Sequence, residues 1–537
     1  MTDYDAIVVG SGFGGGIAAC RLAEAGRRVV VLERGRRWGK DDFPEKPEQT
    51  PEAFWHPTLN PDGLFDLRLM KDLSVITAAG VGGGSLVYAN VQLRAPAEVF
   101  AHGWPRAIDR AELDPYYTRT EEALMPMEVP TAPNELPKMR AFAAAGRRVG
   151  KHAERLPLAV NFQGDRQHPF SDVHQSVCAN LGRCDLGCPI HAKNTVDITY
   201  IARAERLGAE VRTHHEAHRL DPPEQGDRLW RVGYRELGGG ADGEIAAPVV
   251  VLAAGCLGSS RLLLKNRGRL RGLSPALGSR FSGNGDALGA AFDPRASEVG
   301  DAHADYGPSM TSRLDYTAEH GFMLADGGLP SNFGGLLEIV RMIDTLHGWR
   351  RLLLRAERLL ATLGLSDRSI THRHLRAQPP RRPIADSLVF LMLGREAAEG
   401  QMRLTPLFKC FDIRWSRKPS EGLFSAMREV AQEIAQRVDA EPFFALDMWP
   451  LSGFITVHPL GGCPMADDRQ RGVVDDAGKV HGYDGLYVLD GSIVPSALGV
   501  NPSKTIAALA ERGVEQMIAS CAGGRWTPAT RPPNVST

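Results

Sequence analysis

The chain opens on a short apolar run, Tyr4 to Val9, with none of the alternation of a half-exposed strand, so it reads as a strand buried on both faces. Glycines follow at once. Apolar positions then recur with a helical period from Ile17 through Cys20, Leu22 and Ala25 to a stop at Gly26, and "RVVVLE" forms a second strand ending at Glu33. Continuous apolar runs return in "VVVLAAGCLGSSRLLL" (Val249 to Leu264) and in "LYVLDGS" near the C-terminus. Buried strands so far apart in the chain predict one parallel sheet assembled from separate segments. The expected fold class is α/β: a discontinuous Rossmann-type nucleotide-binding domain with an inserted α+β substrate-binding domain. Its nucleotide-binding portions are placed at 1–95, 175–280 and 455–525, its substrate-binding portions at 96–174 and 281–454, and a polar, proline-rich tail at 526–537 is expected to be mobile.

The first strand runs directly into Gly10, Gly12, Gly14 and Gly15, three of which have the G-x-G-x-x-G spacing. Backbone amides at a helix start must come close to a pyrophosphate, and a Cβ would block that approach. Glu33, about 20 residues downstream, is placed to accept both hydroxyls of an adenosine ribose. The fingerprint alone does not separate NAD from FAD.

Composition excludes some functions. With 537 residues and 43% hydrophobic positions the chain can bury a large core, and a formal net charge of -1 gives no reason to expect nucleic-acid binding. No basic leader or apolar signal core is apparent and no apolar run is long enough to cross a bilayer, so a cytoplasmic protein is the expectation. One segment, 342–365, is strongly amphipathic: Trp349, Leu352, Leu353, Ala356, Leu359, Leu360 and Leu363 share one face and arginines fill the other. It reads as a helix over a substrate cavity, with a peripheral membrane or partner contact as the competing reading.

A second glycine-rich loop, "AAGVGGGSLVYANV" (Ala78 to Val91), and the closing stretch "GLYVLDGSIVPSALGVNPSKTIAALAER" complete a pattern from Tyr4 to about Met517. It resembles the glucose-methanol-choline (GMC) family of FAD-dependent alcohol oxidoreductases, in its cholesterol-oxidase branch. The resemblance implies FAD, with Gly10 to Gly15 at the pyrophosphate and Glu33 at the ribose. It also implies Gly82, Gly83, Gly84 and Ser85 along the flavin, Asn90 and Tyr88 near it, and Asp490 with Gly491 at the ribityl end. A turn-forming role for Asp490 is the plain alternative.

Hydride transfer from an alcohol to flavin N5 needs a base at the hydroxyl and a polar group that aligns the C–H bond. "ITVHPLGGCPM" offers His458 for the first and "LGVNPSKT" offers Asn501 for the second, where Pro502 restricts Asn501 to an extended conformation. The resemblance implies that a substrate C–OH, in a sterol or other bulky apolar alcohol, becomes a ketone or aldehyde. A sugar or polyol dehydrogenase and an electron-transfer flavoprotein without a substrate of its own are the alternatives. Asp386, before the apolar run "SLVFLMLG", is the candidate for the proton-shuttling carboxylate of sterol-isomerising relatives, against a strand-entry role.

Three of the eight cysteines, Cys178, Cys184 and Cys188, stand in a C-x5-C-x3-C pattern before Pro189. The last two with their proline resemble the end of a ferredoxin run, and the segment resembles the cluster segment of bacterial FAD-dependent glucose dehydrogenases, so a 3Fe-4S cluster is one reading. Zinc and unligated packing thiols are the others. A cluster would pass electrons singly to a cytochrome, quinone or partner protein; without one, O2 is the expected acceptor. His214 and His218 lie four apart beside a strand and read as edge residues sooner than metal ligands, while Cys20 and Cys256 read as packing.

Overall fold

The computed structural model describes residues 4–45, 49, 52–130, 135–292, 294–299, 302–328, 387–445 and 454–521. The amphipathic segment 342–365, Asp386 and the tail 526–537 lie outside them.

The apolar runs assemble as their patterning requires. Ala6–Val9 sits at the centre of a five-stranded parallel sheet in the order Leu486–Val488, Val249–Leu252, Ala6–Val9, Val29–Leu32, Glu210–Arg212. In register, Ile7 lies opposite Val250 on one side and Val30 on the other. The three central strands are fully buried, which explains why none of them alternates. Two helices cover one face together, Phe13–Glu24 and Ser503–Cys521. Arg21 of the first helix donates two hydrogen bonds, each 2.8 Å, to Glu511 of the second. The hydroxyl of Tyr200 adds a third at 2.9 Å, so the buried Glu511 charge is paired.

The second large sheet is antiparallel. Its order is Glu441–Phe444, Ala287–Phe292, Leu388–Gly394, Phe322–Gly327, Ser312–Tyr316, Glu154–Arg155. Helix Glu421–Arg437 lays Phe424, Met427, Val430, Ala431 and Ile434 against it, an apolar stripe at the helical period. Between the two sheets, Ile455–Thr456 adds a parallel edge to the hairpin Phe65–Leu69/Ser74–Ala78. That short strand delivers the chain directly to His458.

His214 is not on a helix. It takes a left-handed turn (φ 59°) before strand His215–Asp221, and its Nε2 contacts Asp62 at 2.9 Å.

Candidate active site

The two glycine-rich loops, far apart in sequence, meet. A Cβ on Gly83 would lie 2.7 Å from the Cα of Gly12, so the loops approach backbone to backbone and a side chain at Gly83 would collide. Gly82 and Gly83 hold positive φ (106° and 54°) as the strand Ser74–Ala78 turns into the short helical turn Gly83–Leu86. Ser11 links the loops: its hydroxyl donates to Glu33 Oε2 at 2.6 Å and accepts from the Gly82 amide at 3.1 Å. Glu33 Oε1 accepts from the Gly35 and Gly80 amides at 2.9 and 3.3 Å. Gly14 and Gly15 are also required by packing, since a Cβ would fall 1.5 Å from the Leu489 carbonyl oxygen and 1.9 Å from that of Gly10. Gly84, by contrast, would point a Cβ into open space.

Around these loops, several buried polar atoms have no protein partner: both amide atoms of Asn90, Oδ1 of Asp197, Oγ of Ser492 and Oδ1 of Asn501. Leaving such atoms bare costs about 1–3 kcal/mol each, and together with the Gly12/Gly83/Gly84 surface they fit a large polar cofactor such as FAD. Asp490 has a structural duty as well. Its Oδ1 caps the turn Gly491–Ile493 through the Ser492 amide at 2.9 Å, and its Oδ2 accepts from Ser259 Oγ at 2.5 Å. Burial pushes its carboxyl above the ordinary range, with those donors pulling the other way.

His458 is only 16% exposed, and its Nδ1 lies 2.8 Å from Oδ1 of Asp286, itself 3% exposed. The contact assigns the tautomer: Nδ1–H donates to the carboxylate and Nε2 keeps a free lone pair. Asp286 Oδ2 accepts from Thr456 Oγ1 (2.9 Å) and from the amides of Val457 (2.9 Å) and His458 (3.2 Å). Asp286 ends a buried turn, Ser282–Asp286, whose Asn284 reaches the chain entering Asn501. Asn284 Oδ1 accepts from the Leu498 and Gly499 amides at 2.8 and 3.2 Å, and its Nδ2 donates to the Val500 carbonyl at 2.9 Å. A single turn therefore holds both the His458 loop and the chain entering Asn501. Asn501 is 5% exposed, and its only neighbouring acceptor among the described residues is Met310 Sδ at 3.9 Å. Asp286 and Asn284 were not anticipated; "GNGD" gives only a turn signal, and what the turn grips is remote in sequence.

The cysteine segment does other work. Among the described residues no group of three or more His, Cys, Asp or Glu side chains is gathered so that it could hold a metal ion. The 3Fe-4S and zinc readings of Cys178, Cys184 and Cys188 accordingly find no support in the arrangement. Burial pushes the Cys178 thiol up to about 12 and raises that of Cys184. Buried Lys193 bolts this loop to the second glycine loop, donating to the Cys184 carbonyl (2.8 Å) and the Leu86 carbonyl (3.0 Å). Burial lowers its pKa to about 8, against the pull of neighbouring groups including Cys184 and Asp185. Tyr88 contributes its ring 4.7 Å from that ammonium and donates its hydroxyl to the Asn194 carbonyl at 2.7 Å. Cys20 and Cys256 are buried packing residues.

A parallel nucleotide-binding sheet, a cradle bare of side chains and a partly buried histidine paired with a buried carboxylate define a nucleotide-dependent oxidoreductase. The chain belongs to the GMC oxidoreductase family: the family's N-terminal model matches residues 4–269 and its C-terminal model residues 409–510. It is an FAD-dependent oxidoreductase acting on CH–OH donors. A cholesterol oxidase of Mycobacterium tuberculosis is 31% identical over 95% of this chain and 90% of its own length. One from Acinetobacter baumannii is 29% identical over 95% and 94%. A solved pyridoxine 4-oxidase from Mesorbium loti shares the fold, with a TM-score of 0.61 at 17% identity over 96% of this chain and 99% of that one. No helix among the described residues is long and apolar enough to cross a membrane.

Proposed function

We propose that this chain oxidises the carbinol carbon of a bulky apolar alcohol, of the sterol type, to a ketone, with O2 as the final acceptor. The observation that carries the reading is the His458–Asp286 pair, held by one turn together with the segment entering Asn501. With Nδ1–H committed to Asp286, Nε2 of His458 takes the hydroxyl proton, and the imidazolium that forms is balanced by the Asp286 charge. The Asn501 amide is the polar group that aligns the substrate. FAD, when bound, supplies the acceptor for the hydride that leaves the carbinol carbon. Gly10, Gly12, Gly14 and Gly15 would hold its pyrophosphate, Glu33 its ribose, Gly82, Gly83, Gly84, Ser85 and Asn90 its ring system, and Asp490 with Gly491 the ribityl end. Turnover removes a proton and a hydride from the alcohol and leaves a carbonyl.

Two observations favour an apolar substrate. Ile455 and Val457, beside His458, are 37% and 47% exposed, and the full-length relatives reported above include two cholesterol oxidases. The sugar-dehydrogenase alternative drew on the cysteine spacing, and among the described residues no group that could hold a metal ion is gathered there. The test is anaerobic mixing of the holoenzyme with cholesterol, a long-chain alcohol or glucose while flavin absorbance is followed. Bleaching by cholesterol, followed by peroxide on admitting air, is the expected result. Faster bleaching by glucose would overturn the substrate class, and no bleaching by any alcohol would overturn the enzymatic reading.

A further inference from the structure

Beneath the turn that holds both catalytic segments lies a second buried carboxyl group, Glu396, 5% exposed. Its Oε1 accepts from Ser282 Oγ at 2.8 Å and from the Gly283 amide, while its Oε2 is buried with no partner among the described residues. Asp286, at the other end of the same turn, accepts from Thr456 Oγ1, two backbone amides and His458 Nδ1. Two carboxyl groups buried on one turn are costly to ionise together, and an ionised carboxylate is held at lower cost where more donors surround it. Asp286 has four; Glu396 has two direct ones and a bare oxygen.

We propose that Glu396 is a positioning residue for hydride transfer, held as the neutral acid beneath the Ser282–Asp286 turn so that Asp286 alone places negative charge on His458. This rests on the reading of His458 as the base. The surroundings of Glu396 agree with it. The neighbouring Arg395 turns outward to Glu98 (3.6 Å) and the Thr317 carbonyl (3.3 Å), and Ser420 is engaged with the Ala397 amide at 2.8 Å. Ser282 brings a hydroxyl, Gly283 and Gly285 bring amides, and Asp286 is the charged group that bears on the carboxyl. Burial pushes the Glu396 carboxyl up to about 7; Ser282 and the Gly283 and Gly285 amides pull it down, and Asp286 raises it. Above neutrality a second negative charge would appear under the turn, repel Asp286 and loosen the grip on both catalytic segments.

The experiment is stopped-flow flavin reduction by alcohol in the FAD-loaded enzyme across pH, with infrared difference spectra of the same protein. Wild type is expected to lose rate on the alkaline side and to show a carboxylic-acid C=O band that disappears as pH rises through neutrality. Glu396→Gln should lack both that band and the alkaline loss. Ser282→Ala removes a donor that favours the ionised form, so it should move the alkaline loss to higher pH, and it serves if Glu396→Gln does not fold. An alkaline limb unchanged in Glu396→Gln or in Ser282→Ala, or a C=O band surviving in Glu396→Gln, overturns the proposal. Failure of the base reading looks different: His458→Ala would still reduce flavin with alcohol at the wild-type rate, while the infrared band and its pH dependence in wild type remained.

Discussion

The proton geometry of His458 is set by one hydrogen bond. Because the Asp286 carboxylate accepts from two backbone amides and a threonine hydroxyl on Oδ2, its other oxygen is left to orient the imidazole. In Asp286→Asn the amide oxygen is needed by those backbone donors, so the NH2 group faces Nδ1 and the ring must carry its proton on Nε2. The variant is expected to bind FAD normally and to reduce it about 100-fold or more slowly, the lower range for loss of a general base, as read by stopped-flow with alcohol under anaerobic conditions. His458→Ala should abolish flavin reduction by alcohol while FAD stays bound, as its absorbance spectrum after gel filtration will report. If either variant reduces flavin at the wild-type rate, the proton does not pass through this pair.

At the scale of elements, loops decide the site and glycines decide the loops. Gly14 begins the nucleotide-binding helix against the Leu489 carbonyl, so Gly14→Ala must displace either that helix or the end of strand Leu486–Val488. Overpacking of this kind costs about 1–3 kcal/mol; a lower melting temperature and substoichiometric flavin are the expected measurements. Gly285 has a parallel role in the turn Ser282–Asp286 beneath His458, where φ is +62° and a Cβ would meet the Gly394 carbonyl oxygen at 2.4 Å. The cysteine loop is tied down by Lys193 and, among the described residues, gathers no group that could hold a metal ion. Protein purified anaerobically should therefore contain flavin without iron or acid-labile sulfide. About three irons per flavin would restore the cluster reading of Cys178, Cys184 and Cys188.

Over the whole molecule, burial of titratable groups couples folding to pH. His168 is 1% exposed; burial, reinforced by Arg166, lowers its pKa to about 4. The unfolded chain then binds a proton that the folded chain refuses, so stability falls as pH drops from 6.5 toward 4. Replacing His168 by Gln should shrink that fall by on the order of 2 kcal/mol, measured as the difference between wild-type and variant denaturation at the two ends of the window. Glu396 acts in the opposite sense. With its folded pKa raised to about 7 it retains a proton the unfolded chain releases, so its contribution is lost as pH rises from the ordinary carboxylate range through 7.

The nucleotide-binding half was legible in the chain because its signals are local. Apolar runs make strands buried on both faces, a helical period follows within a few residues, and the glycine spacing and Glu33 fall inside one strand–helix–strand unit. His458 and Asn501 could likewise be named from the short segments around them. What those segments could not contain is their support. The Asp286–His458 bond spans 172 positions and the Ser282–Glu396 bond 114, and a carboxylate in a glycine-rich turn looks the same whether it faces water or an imidazole. The cysteine spacing was ambiguous for the same reason: thiols become ligands only when three-dimensional folding points them at one centre and leaves them ionised. Residue type and short-range period determined the strands, the cradle and the candidate base. Tertiary structure alone decided which buried groups are charged, because burial and partners reach a side chain through space and leave no trace in its neighbours along the chain.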